Sequence, residues 1–131
     1  AFGPEWRVRV QLPIALDEES EPEPDVSVAP GRLRDSTEAK PSRVALVVEV
    51  AESSLAIDRE HKGSLYARAR VPEYWIVNLV DRVLEIYHDP TPDASASYGW
   101  AYRSVQRLYV GEHVSPLAAP TSRIPVADLL P

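Results

Sequence analysis

The chain has 131 residues, 44% of them apolar, and a formal net charge of -6. That length buries one sizeable core and not two, and the charge argues against a large exposed basic surface of the kind that grips a long duplex non-specifically. With no cysteine in the chain, disulfides and thiolate metal sites are excluded, which suits a cytoplasmic protein; no apolar run approaches the ~20 residues that cross a bilayer, and no signal peptide is visible.

Residues 6–16 alternate apolar Val8, Val10 and Leu12 with Arg7, Arg9 and Gln11, the period of a half-buried strand. The acidic, proline-rich stretch 17–24 turns the chain into a second strand over 25–29, and 30–42 is a polar loop. Residues 44–50 are almost continuously aliphatic, as in a central strand covered on both faces. A helix follows over 55–69, with Ser53 or Ser54 as its N-cap, Gly63 weakening it by about 1 kcal/mol, and Pro72 beyond its end. Residues 74–80 form a strand, Asp81-Arg82 turn, and 83–88 return as its hairpin partner. A loop over 89–99, strands over 100–110 and 114–118, and a helical turn over 126–130 complete the chain. The 13 prolines, about twice the usual share of ~5%, fall mostly between apolar runs and so punctuate strands. Strand, strand, strand, helix, strand predicts an α+β domain in which a mixed sheet carries one main helix.

Two carboxylates stand out against this pattern. Asp25 opens a strand, and Glu49 lies deep inside the run Val-Ala-Leu-Val-Val-Glu-Val-Ala. An ionised carboxylate buried without a partner is costly, and two on neighbouring strands repel unless a cation or a shared proton lies between them, so a divalent-metal site is the economical reading. On a regular helix Lys62 lies about 40° from Asp58, about 40° from Tyr66 and about 20° from Ala69 at about 100° per residue, which sets an ammonium on the apolar stripe. Each residue also has a plainer reading. Asp25 would be an ordinary strand-entry acid, Glu49 a partner of an arginine such as Arg68, Lys62 a snorkelling side chain, and Asp58 a first-turn acid favoured by the helix dipole. Glu21 and Glu23 share a strand face with Asp25 but sit in a run that reads as a solvated turn. Arg32, Arg34, Lys40 and Arg43 around a loop, with Arg68 and Arg70 closing the helix, form either a modest phosphate-facing patch or a solvated group with a helix cap. His61, His88 and His113 show no ligand spacing.

Pro24-Asp25, Val48-Glu49-Val50-Ala51, Asp58-Arg59-Glu60-His61-Lys62 with Tyr66, and Val71-Pro72-Glu73-Tyr74-Trp75-Ile76-Val77 together resemble the Uma-two family of restriction endonucleases, a bacterial group in the PD-(D/E)XK nuclease superfamily. The resemblance runs from about Trp6 to the C-terminus. It implies a restriction-endonuclease-like core with an added antiparallel ribbon, filling residues 1–131 as a single domain. It implies Mg2+ or Mn2+ held by Asp25, Glu49 and the backbone carbonyl of Val50, nucleic acid as substrate with DNA favoured, and a homodimer for cutting both strands. The superfamily pattern sets a lysine two residues after the second acid, where this chain has Ala51; the resemblance implies that Lys62 takes that role from the helix. It also implies a helical segment and hairpin ahead of Trp6, so the chain, which contains no methionine, reads as N-terminally truncated. The expected activity is metal-dependent hydrolysis of phosphodiesters, with Asp25, Glu49 and Lys62 catalytic. The alternative is a degenerate nuclease fold serving as a non-catalytic binding or assembly module.

Overall fold

A computed structural model describes residues 6–10, 22, 24–30 and 44–130. Six strands form one sheet in sequence order: β1 (Trp6–Val10), β2 (Val26–Pro30), β3 (Leu46–Ala51), β4 (Glu73–Asn78), β5 (Val83–Pro92) and β6 (Trp100–Leu108). All neighbours are antiparallel except β3 and β4, which run parallel with Glu49 opposite Ile76. A parallel pair requires a crossover, and the helical segment between these strands supplies it. A two-stranded ribbon of β7 (His113–Val114) and β8 (Ile124–Pro125) and a 3-10 turn at Val126–Asp128 end the described chain. This is the α+β mixed sheet with one main helical segment expected from the residue pattern.

Alternation along the strands divides the core in two. Val28, Leu46, Val48, Trp75, Val77, Leu84 and Ile86 face one side, where Val114, Val126 and Leu130 cover them. Ala29, Val47, Ala51, Tyr74, Ile76 and Tyr87 face the other, against Tyr66 and Val71. The first layer is aliphatic apart from Trp75. The second is rich in phenols, and Tyr74 packs its ring 5.1 Å from Tyr66, 5.5 Å from Tyr87 and 6.1 Å from Tyr102.

The helix departs from the regular one expected over 55–69. A three-residue turn α1 (Leu55–Ile57) leads into a π-helical turn at Asp58–Lys62, and α2 (Gly63–Arg68) follows. The carbonyl of Asp58 accepts the Gly63 N–H, five residues on, and also the Tyr74 hydroxyl at 2.9 Å. A hydroxyl from the sheet thus serves the widened turn, a common way for a π-turn to persist. Ser54 stands at the N-cap but makes no cap bond, because its hydroxyl donates to the Asp58 side chain instead. Arg68 and Arg70 stack over Tyr98 and Trp100 at 4.8 Å and 5.5 Å rather than serving only as a helix cap.

The largest differences in strand boundaries fall in the C-terminal half. β5 continues through Pro92 instead of ending at residue 88, and the expected strand over 114–118 shrinks to a two-residue bridge. Arg82 and Asp89 adopt positive φ values of 57° and 60°, so the hairpin turn and the bend within β5 are built without glycine.

Candidate active site

Glu49 points to the helix-bearing face of β3 and is only 2% exposed. Its two oxygens are both engaged. Oε1 accepts the backbone N–H of Asp25 at 3.1 Å, while Oε2 accepts the Tyr66 hydroxyl at 3.0 Å and lies 3.1 Å from the Lys62 ammonium. The antiparallel register that pairs Val26 with Val48 brings Asp25 opposite Glu49. Asp25 Oδ2 in turn accepts the Val50 N–H at 2.7 Å. Because the N–H and C=O of an extended residue leave the strand on the same side, the Val50 carbonyl faces the edge that carries both acids.

The π-turn brings the remaining charges in. Lys62 reaches inward from it, its side chain 38% exposed, and touches Asp58 Oδ1 at 3.3 Å as well as Glu49. Asp58 is 1% exposed, and its Oδ2 accepts the Ser54 hydroxyl at 2.9 Å. Oδ1 makes no hydrogen bond of good geometry, so the Lys62 charge is what compensates it. Asp58 stands in the first turn of this segment, as helix position suggests, and is in addition a buried partner of Lys62.

Burial raises the Glu49 carboxyl above its ordinary pKa, opposed incompletely by the Asp25 N–H, Lys62 and Tyr66. For Lys62 burial works downward, but Glu49 and then Asp58 outweigh it, and the ammonium holds its proton more firmly than a free lysine. Burial first and the Glu49 charge second push the Tyr66 phenol far up, so Tyr66 acts as a neutral donor. The result is a carboxylate pair whose orientation is fixed at both oxygens of Glu49, with a permanent cation at its side.

Among the described residues no group of three or more His, Cys, Asp or Glu is arranged to enclose an ion. Two carboxylates and a strand carbonyl nevertheless fit a hard cation such as Mg2+, which keeps several waters and takes one or two carboxylates rather than an all-protein cage.

A second polar cluster lies on the same face. Glu85 is 0% exposed and accepts from Arg59 Nε at 3.0 Å and from a terminal nitrogen of Arg59, from Tyr87 at 2.6 Å and from Asn78 at 2.9 Å. This cluster pins the π-turn to β5. Sequence reading missed it although the signal was present, since Glu85 interrupts the apolar run Val83-Leu84-Ile86-Tyr87 just as Glu49 interrupts its own. Glu73 is likewise buried, holding His88 Nε2 at 2.9 Å and the Leu117 N–H at 2.8 Å. Glu21, Glu23 and the loop cations Arg32, Arg34, Lys40 and Arg43 lie outside the described residues.

No curated protein matches this chain. Among solved structures, a protein from Anabaena variabilis ATCC 29413 described as "a putative nuclease belonging to DUF820" superposes with a TM-score of 0.65 at 13% identity, over 96% of this chain and 68% of its own. At that identity the likeness establishes the fold. The family model for Uma2, described as "Putative restriction endonuclease", matches residues 2–126, and with nearly the whole length covered the chain belongs to the Uma2 restriction-endonuclease family.

Proposed function

We propose that this chain is a metal-dependent nuclease that hydrolyses nucleic-acid phosphodiesters, with Asp25, Glu49 and Lys62 as its catalytic residues. The observation that carries the reading is the convergence of Lys62 on Glu49 at 3.1 Å, beside an Asp25 that is itself bonded to both Glu49 and Val50. Membership of a restriction-endonuclease family supports the same substrate class.

Asp25, Glu49 and the Val50 carbonyl would hold Mg2+ or Mn2+. When bound, such an ion polarises water and neutralises charge on the scissile phosphate. The chain's own residues account for the rest. Tyr66 and the Asp25 N–H hold the Glu49 carboxylate in one orientation. Lys62, charged throughout the working pH range, positions the attacking water or stabilises the extra negative charge on the pentacovalent phosphorus, where preorganised positive charge acts most strongly.

DNA cut on both strands by a homodimer completes this reading. Its dimer surface would be β6 and the residues after it, where Val105, Tyr109 and Val110 are each more than half exposed. Among the described residues no helix is long and apolar enough to cross a membrane. One observation favours the alternative of a non-catalytic domain: with both Glu49 oxygens already bonded, the cluster is internally satisfied.

Manganese calorimetry together with cleavage of plasmid and oligonucleotide substrates separates the two readings. A nuclease binds the ion and cuts, and Asp25→Ala or Glu49→Ala abolishes both. A chain that binds no divalent ion, or binds it equally well in both variants, is not a nuclease built on this site.

A further inference from the structure

Asp58 is the residue in this neighbourhood whose burial lacks an explanation. A pairing of Asp and Lys four residues apart on an exposed helix contributes only a few tenths of a kcal/mol. Asp58 is instead 1% exposed, a position in which a carboxylate is tolerated only against a compensating charge and donors. It is also fixed independently of Lys62. Its backbone carbonyl is held by the Tyr74 hydroxyl at 2.9 Å and by the Gly63 N–H, and its Oδ2 by the Ser54 hydroxyl at 2.9 Å. Only Oδ1 is left, and Oδ1 faces the Lys62 ammonium at 3.3 Å.

Lys62 is the opposite case. Its side chain is 38% exposed, and on four rotatable bonds its head can swing out into water. With Glu49 alone as partner, that head would have one anchor on the carboxylate proposed to receive the ion. Asp58 gives it a second.

Resting on the nuclease reading above, we infer that Asp58 is a positioning residue: fixed by Ser54 and Tyr74, its carboxylate holds the Lys62 ammonium against Glu49, in the place where cleavage requires it. Asp58 touches neither substrate nor ion and acts through Lys62 alone. The π-turn is part of the device, because its widened carbonyl is the one that Tyr74 secures.

The test uses Asp58→Asn, which keeps the side-chain size and an acceptor for the Ser54 hydroxyl while removing the charge. The chain has two lysines, Lys40 and Lys62, so a carbon–proton correlation spectrum of the lysine Cε groups reports on Lys62 directly. In the wild type the two Cε protons of an anchored Lys62 have distinct shifts. In Asp58→Asn they converge to a single averaged position, cleavage falls roughly 10- to 100-fold as for other residues that orient a catalytic group, and manganese affinity is retained. In a Lys62→Met background Asp58→Asn costs no further cleavage, since a residue that acts through another adds nothing once that other is gone. Ser54→Ala, a milder change, moves the spectrum and the rate the same way by a smaller factor and serves if Asp58→Asn does not fold.

Unchanged Lys62 shifts with unchanged cleavage overturn the positioning role while leaving the nuclease reading intact. An equal further loss of cleavage in the Lys62→Met background overturns it as well. A wild-type protein that neither binds manganese nor cuts overturns the nuclease reading instead, and the spectrum still decides whether Asp58 holds Lys62.

Discussion

Replacing Arg59 with leucine tests how the π-turn is fastened to the sheet. Arg59 supplies two of the four donors around Glu85 together with a formal counter-charge, leaving Tyr87 and Asn78 in the variant. Breaking a buried pair by removing one partner typically costs about 3–5 kcal/mol. Arg59 is 33% exposed and two donors remain, so the low end applies, about 3 kcal/mol. Unfolding entropy of about 2.1 cal/mol/K per residue amounts to about 0.28 kcal/mol/K here, which turns that loss into a fall in Tm of roughly 10 °C by calorimetry. The loss also depends on pH. Burial pushes the Glu85 carboxyl up, but the Arg59 hydrogen bond, then Tyr87 and Asn78, outweigh it and hold the wild-type group below its usual value. Its stabilising contribution is therefore present above the unfolded carboxylate pKa and is lost as pH falls through the folded one. Without Arg59 fewer interactions oppose burial, so the folded carboxyl pKa rises and that contribution shrinks. The gap between the two proteins should therefore widen as pH rises through the carboxylate range. A gap that is constant with pH, or a Tm change of no more than a degree or two, would refute the argument that Arg59 compensates a buried charge.

Lys62→Ala should leave manganese binding by calorimetry close to wild type while lowering the single-turnover cleavage rate by at least about a hundredfold, the scale on which one preorganised stabiliser acts. Tyr66→Phe removes one donor from a buried carboxylate and should cost about 1.5 kcal/mol, a Tm decrease of about 5 °C. It should also shift the Glu49 titration, followed by carboxyl NMR, further upward, because the lost hydrogen bond opposes the effect of burial. Light scattering at micromolar concentration should give a dimer mass. Edge-to-edge pairing of β6 centred on Val105 would set Arg103 opposite Arg107, so the contact should use the exposed apolar side chains rather than the strand edge, and Val105→Asp should yield a monomer.

What the residues disclosed in advance follows from which forces are local. The central strand was readable because its aliphatic run has one physical outcome, and the acids were readable because burying a charge in such a run demands a partner. Lys62 was placed inward on regular helical spacing and does face Glu49, although the helix is not regular. The widened turn itself was not readable, nor was the burial of Asp58 within it. A π-turn has no composition of its own, and the hydroxyl that secures this one belongs to Tyr74, sixteen residues downstream. Pro90 and Pro92 argued for a loop, yet β5 runs through both, because cross-strand pairing with β6 and the bend at Asp89 set that boundary rather than local propensity. Glu85 needed no new principle, only the rule that singled out Glu49 applied a second time.

The parallel pair of β3 and β4 has a consequence for how this architecture can vary. Because the chain must return to the starting end of the sheet, the crossover is obliged to lie over the strand it has just left, and side chains on its underside come within reach of that strand's carboxylate. Lys62 meets the Glu49 carboxylate from the crossover in this way. Ala51, two residues after Glu49 on the same face, is 0% exposed and simply fills space between Tyr66 and its neighbours. Restoring an ammonium by Ala51→Lys would bury a second cation where there is room only for a methyl group.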